Sequence, residues 1–62
     1  MEEWEKRKLR NTIMEFEHGR GSFRERLRDR DISRREREVC LAQIRRADRE
    51  LKKLKRIQRE ET

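Results

Sequence analysis

Sixty-two residues with no proline or tyrosine, 55% of them charged and only 29% hydrophobic, allow one small domain at most. A chain this short buries only ~60% of its unfolded surface, so small scaffolds lean on a disulfide, a metal or a second chain. Cys40 is the sole cysteine and His18 the sole histidine. That excludes an internal disulfide and falls short of a structural four-ligand zinc site, so no metal or cofactor is expected and homodimerisation becomes the expected staple.

The first predicted element spans 2–17. Leu9, Ile13 and Phe16 stand at i, i+4 and i+7, one face of a helix. Glu2, Glu3 and Glu5, followed by Lys6, Arg7 and Lys8, suit the helix dipole. Trp4 lies off this stripe, which leaves it to stack on a base or to pack against another element. Residues 18–22 (His18, Gly19, Arg20, Gly21, Ser22) hold both glycines of the chain and read as a loop. His18 is then placed to cap the end of the first helix, with Phe16 and Phe23 pinning the hairpin.

Ser22 and Glu25 fit an S-x-x-E capping box, so a second helix is predicted to start at 23 and run to 60. Ser33 and Glu36 repeat the pattern. Val39, Cys40, Ile44, Ala47, Leu51, Leu54 and Ile57 cluster on one arc of this helix, whereas Phe23 and Leu27 project well off it. A break or kink near 31–33 accounts for both facts. Ile44 and Leu51 at heptad position a, with Ala47 and Leu54 at d, form a seam that Cys40 extends and Arg37 and Gln58 interrupt.

High charge also suits disorder, but Glu, Lys, Arg and Leu are strong helix formers. The pairs Glu2–Lys6, Glu3–Arg7, Asp31–Arg35 and Asp48–Lys52 carry opposite charges at i,i+4. The expected fold is therefore all-α, one domain over 1–62. It is a helical hairpin of helix, glycine loop and long or kinked second helix, dimerising into a small bundle or short coiled coil. The expected dimer interface is Ile44, Ala47, Leu51, Leu54 and Cys40, assisted by Leu9, Ile13 and Phe16.

The most informative functional feature is a row of cations on the last helix. Arg45, Arg49, Lys52, Arg56 and Arg59 recur at helical spacing nearly opposite the Ile44/Leu51 seam, over ~21 Å at 1.5 Å per residue. From Arg45 to Arg59 there are eight cations and two acids, enough to supply the whole net charge of +6. Such a row can track phosphates, releasing counterions as it binds, and arginine offers a planar fork to phosphate oxygens. An ordinary solvated face is the plain alternative. A second basic region, with Arg24, Arg28, Arg34 and Arg35, is interleaved with Glu25, Asp29, Asp31 and Glu36.

Asn11 and Gln43 are too few amides to argue base readout, and nothing resembles a helix-turn-helix, zinc finger or RNP motif. The expected partner is RNA, duplex or structured, recognised by shape and backbone; DNA is the lesser possibility. The other reading is a protein-interaction module docking on a larger partner, with Phe23 and Leu27 as its spare apolar face. An enzyme and a small-molecule substrate are not expected, because so small a helical chain has nowhere to desolvate paired carboxylates. No stretch approaches the ~20 apolar residues of a membrane span. The acid-rich start lacks a signal's apolar region, and the lone thiol suits a reducing compartment, cytoplasm or nucleus.

Overall fold

A computed structural model describes residues 1–61, with two helices, α1 (Glu3–Leu27) and α2 (Arg34–Glu60), joined by a turn over 28–33. The helices pack antiparallel. Arg26 near the end of α1 meets Glu36 near the start of α2 at 2.7 Å, Arg20 meets Asp48 at 2.7 Å, and Glu17 meets Lys55 at 3.6 Å. The hairpin is a rod 46 Å long and 15 Å by 12 Å across.

The expected all-helical hairpin is present, but its turn lies elsewhere. Residues 18–22 are helical, and α1 continues for more than two turns past the expected stop at 17. Glycine costs a helix about 1 kcal/mol relative to alanine, and α1 bears that cost twice. The gain that offsets it is a longer seam. Leu9, Ile13, Phe16, Phe23 and Leu27 share one face once Arg20 is counted at the position between the two phenylalanines. A turn at 28–33 also makes the arms nearly equal, 25 and 27 residues, so each apolar stripe finds a partner along its length. A turn at 18–22 would strand the far half of a second helix running to 60.

The break expected near 31–33 is thus the hairpin turn itself. Arg28 and Asp29 donate their backbone N–H groups to the carbonyls of Glu25 and Arg26 at 3.1 and 3.2 Å, tightening the end of α1. The Asp29 carboxylate accepts the Asp31 N–H at 2.9 Å, the side-chain turn for which Asp is suited. Ser33 then caps α2, its Oγ accepting the Glu36 N–H at 3.1 Å. Of the two S-x-x-E patterns only this one starts a helix; Ser22 and Glu25 sit inside α1. His18, expected at a helix end, is an exposed residue of mid-α1.

The core is the α1–α2 seam. Ile13, Cys40, Ala47 and Leu51 are buried, and Leu9, Phe16, Phe23, Leu27, Ile44 and Leu54 are half-buried. Phe23 and Leu27 are half-buried on this seam, and Phe23 also borders two open clefts on its flank. The four i,i+4 pairs expected from the sequence do not form. Asp48 is drawn across to Arg20, and Asp31 lies in the turn. Arg34–Glu38 and Arg56–Glu60 form at that spacing instead, at 3.7 and 3.3 Å.

Candidate nucleic-acid interface

Helical spacing alone decides where the cationic row goes. With Ala47 and Leu51 turned onto α1, residues roughly half a turn away must face outward. Arg45, Arg49, Lys52, Arg56 and Arg59 are accordingly all exposed, in line along the outer side of α2. Arg56 shares Glu60 at 3.3 Å, whereas no acid pairs with Arg45, Arg49 or Lys52 among the described residues. Asp48 and Glu50 are engaged elsewhere, with Arg20 at 2.7 Å and Lys53 at 4.0 Å.

Sequence spacing opposite the seam misses one member. Lys55 joins Lys52 and Arg59 around a hollow of about 620 Å³ over Gln58, widening the cationic surface toward one flank of the hairpin. Gln58 also borders a smaller hollow with Leu9 and Arg10, which brings an α1 cation to the same flank. The i,i+3 spacing from Lys52 is the signal that points to Lys55. It is a weak one, because Lys55 stands to the side of the line directly opposite the seam.

The second basic group gathers at the turn end of the rod. Arg28 and Arg34, 81% and 95% exposed in their side chains, lie against Glu25 and Glu38 at 3.8 and 3.7 Å. Arg24 and Arg35 are exposed. Arg26 is held by Glu36, whose hydrogen bond and charge raise the guanidinium above its ordinary value. This end is therefore a mixed-charge lattice, unlike the α2 row.

The residues expected to line a dimer interface pack along the α1–α2 seam of one chain. Ile13, Cys40, Ala47 and Leu51 are buried within a single chain, and Ile44, Leu54, Leu9 and Phe16 flank them on the same seam. The α2 stripe is long and regular enough to suit a coiled coil. A first helix ending at 17 leaves that stripe to another chain, whereas α1 in full covers Cys40, Ala47 and Leu51 and leaves Val39 and Ile57 exposed. Trp4 packs on neither helix seam: it is 63% exposed and borders a shallow hollow with Arg7, Lys8 and Asn11.

Among the described residues no cluster of His, Cys, Asp and Glu could hold a metal ion. No helix of these residues is long and apolar enough to cross a membrane. Comparison with protein families, with characterised proteins and with solved structures finds no match.

Proposed function

We propose that the protein binds RNA, duplex or structured, as a small helical homodimer that reads phosphates and shape rather than bases. It acts by binding, as a regulator or a factor that sequesters RNA, and not by catalysis. The observation that carries this reading is the α2 outer row, in which Arg45, Arg49 and Lys52 stand exposed without an acid partner among the described residues. Cations already neutralised by carboxylates gain little from phosphate, whereas these release condensed counterions with no internal pair to break. A reducing compartment, cytoplasm or nucleus, suits the single buried thiol of Cys40.

The test is a salt titration of binding to a labelled RNA duplex of about 20 base pairs, with DNA duplex and single-stranded RNA as competitors. The expected result is a linear fall of log affinity with log salt and preference for duplex RNA. Absence of binding at physiological salt would overturn the proposal and leave the row as a solvated face.

A protein-interaction module is the second reading. Trp4 and Met14, 63% and 60% exposed on the outside of α1, favour it as anchors for a larger protein. Replacing both by serine would abolish such docking and leave RNA binding by α2 intact.

A further inference from the structure

Trp4 is the sole tryptophan of the chain, 63% exposed, and it packs against neither helix seam. The hollow beside it, about 420 Å³, is otherwise lined by polar residues: Arg7, Lys8, Asn11, Thr12 and Glu15. Arg7 and Lys8 stand at i+3 and i+4 from Trp4, so both cations adjoin it on the helix surface. Neither has an acid partner among the described residues. Asn11, at i+7, adds an amide that can donate and accept. The Thr12 hydroxyl is committed to the Lys8 carbonyl at 2.9 Å. Glu15 closes the far end of the hollow, ~16 Å along the helix from Trp4 at 1.5 Å per residue. An anion is therefore favoured only at the Trp4 end.

Cations also connect this place to the α2 row. The Met1 amino group meets the Glu61 carboxylate at 3.6 Å, so the start of α1 lies beside the end of α2. There Gln58 borders two hollows, one with Lys52 and Lys55 of α2 and one with Lys6 and Arg10 of α1. From that point Lys6, Arg10, Arg7 and Trp4 follow one another round α1 in steps of roughly 40–60° at 3.6 residues per turn. The row and Trp4 face opposite sides of the rod, and this band joins them round its open end. Of the acids beside the band, Glu17 is held by Lys55 and Glu61 by the Met1 amino group, both at 3.6 Å. Glu3 is left against Lys6, Arg7 and Arg10, and the band stays positive.

We propose that Trp4 stacks on an unpaired base of the bound RNA, the strand reaching it from the α2 row along Lys55, Lys6, Arg10 and Arg7. The proposal rests on the RNA reading and extends that site onto α1. Charge selects this occupant. A tryptophan that anchors a protein partner sits among contacts that exclude water, whereas charged and polar residues surround this one. Met14, also exposed on α1, does not border the hollow. A nucleotide asks for what is present: an aromatic face for the base and unpaired cations for its phosphates. Bases stacked inside a duplex offer no free face, so the base is an unpaired one. Glu15 repels a strand that would continue toward the turn.

As the sole tryptophan, Trp4 reports on its own site. The full chain is titrated with a blunt RNA duplex of about 20 base pairs, and with the same duplex carrying a single-stranded tail of about six nucleotides. Anisotropy of the labelled RNA reads binding, and tryptophan fluorescence reads the site. The tailed duplex is expected to bind about fivefold tighter or more and to quench Trp4, whereas the blunt duplex binds without quenching. Trp4→Ala removes the gain from the tail and leaves blunt-duplex affinity unchanged, and Trp4→Phe keeps part of the gain. Arg7→Gln with Arg10→Gln lessens the gain and its salt dependence. No quenching by the tail, a gain that survives Trp4→Ala, or equal quenching by the blunt duplex would overturn the assignment. Blunt-duplex binding with the expected salt slope and a silent Trp4 removes the nucleotide site alone and leaves Trp4 to a protein partner. Tail-dependent quenching without blunt-duplex binding removes the duplex reading of the α2 row alone.

Discussion

Arg20 Nη1 lies 2.7 Å from Asp48 Oδ1 across the hairpin, reached from a seam position between Phe16 and Phe23 where an apolar side chain would continue the stripe. The arginine stem takes the place of that side chain, its side chain only 25% exposed, while the guanidinium turns outward to a half-exposed carboxylate. A polar residue in a helical seam fixes register at some cost in stability. The ion pair itself is weak because water reaches both partners. A double-mutant cycle of Arg20→Ala and Asp48→Ala is therefore expected to return a coupling of about 0.5–1 kcal/mol by denaturant unfolding. Arg20→Leu is expected to leave stability unchanged or raised. A marked loss in Arg20→Leu would show that the pair, and not the stem, holds this level of the seam.

Gly21 offers a direct check on the helix running through 18–22. It is exposed, its φ is not positive, and an added Cβ meets nothing within 4 Å. Gly21→Ala is expected to stabilise the hairpin by about 0.5–1 kcal/mol, raising Tm by about 2–8 °C in thermal melts. A loop at this place would give the opposite sign, since a residue needing backbone freedom loses it on gaining a Cβ.

The same glycines explain which parts of the fold are legible in the sequence. Periodicity places the centre of the α2 stripe, because Cys40, Ala47 and Leu51 recur without a polar interruption and are buried, while Val39 and Ile57 at its edge are exposed. It also locates a break near 31–33, through the mismatch in phase between Leu27 and Val39. The α1 stripe reads as too short because Arg20 occupies its seam position between two glycines, so local composition speaks for a loop. Only the long-range gain from pairing two arms of equal length decides against that loop, and no local rule contains it. The outward cationic row is readable because helical spacing relative to the seam settles it. Lys55 is not, since its place on the flank depends on where α1 lies.

The two S-x-x-E patterns give a paired test. Ser33 Oγ accepts the Glu36 N–H at 3.1 Å, whereas Ser22 lies exposed within α1. Ser33→Ala is expected to cost about 1 kcal/mol and to speed amide exchange at Glu36. Ser22→Ala should be neutral or slightly stabilising, because alanine is the better residue inside a helix. Equal losses in the two variants would place a second helix start at 22.

The salt slope should divide the arginines by their internal partners. Arg45, Arg49 and Lys52 have no acid within pairing distance among the described residues, while Arg28 and Arg34 each hold a carboxylate. A paired arginine that binds phosphate must first displace its carboxylate, so it returns less on binding. Substituting Arg45, Arg49 and Lys52 together by glutamine is expected to lower the slope of log affinity against log salt by about one for each phosphate no longer neutralised. Substituting Arg28 and Arg34 should change it little. Circular dichroism of both variants should match the parent, since all five side chains are exposed. A slope that falls more for the turn pair would move the RNA site to the turn end of the rod, where the charges alternate. An unchanged slope in both would mean that the polyanion, if bound, is held by other cations, with Lys55 and Arg10 the next to replace.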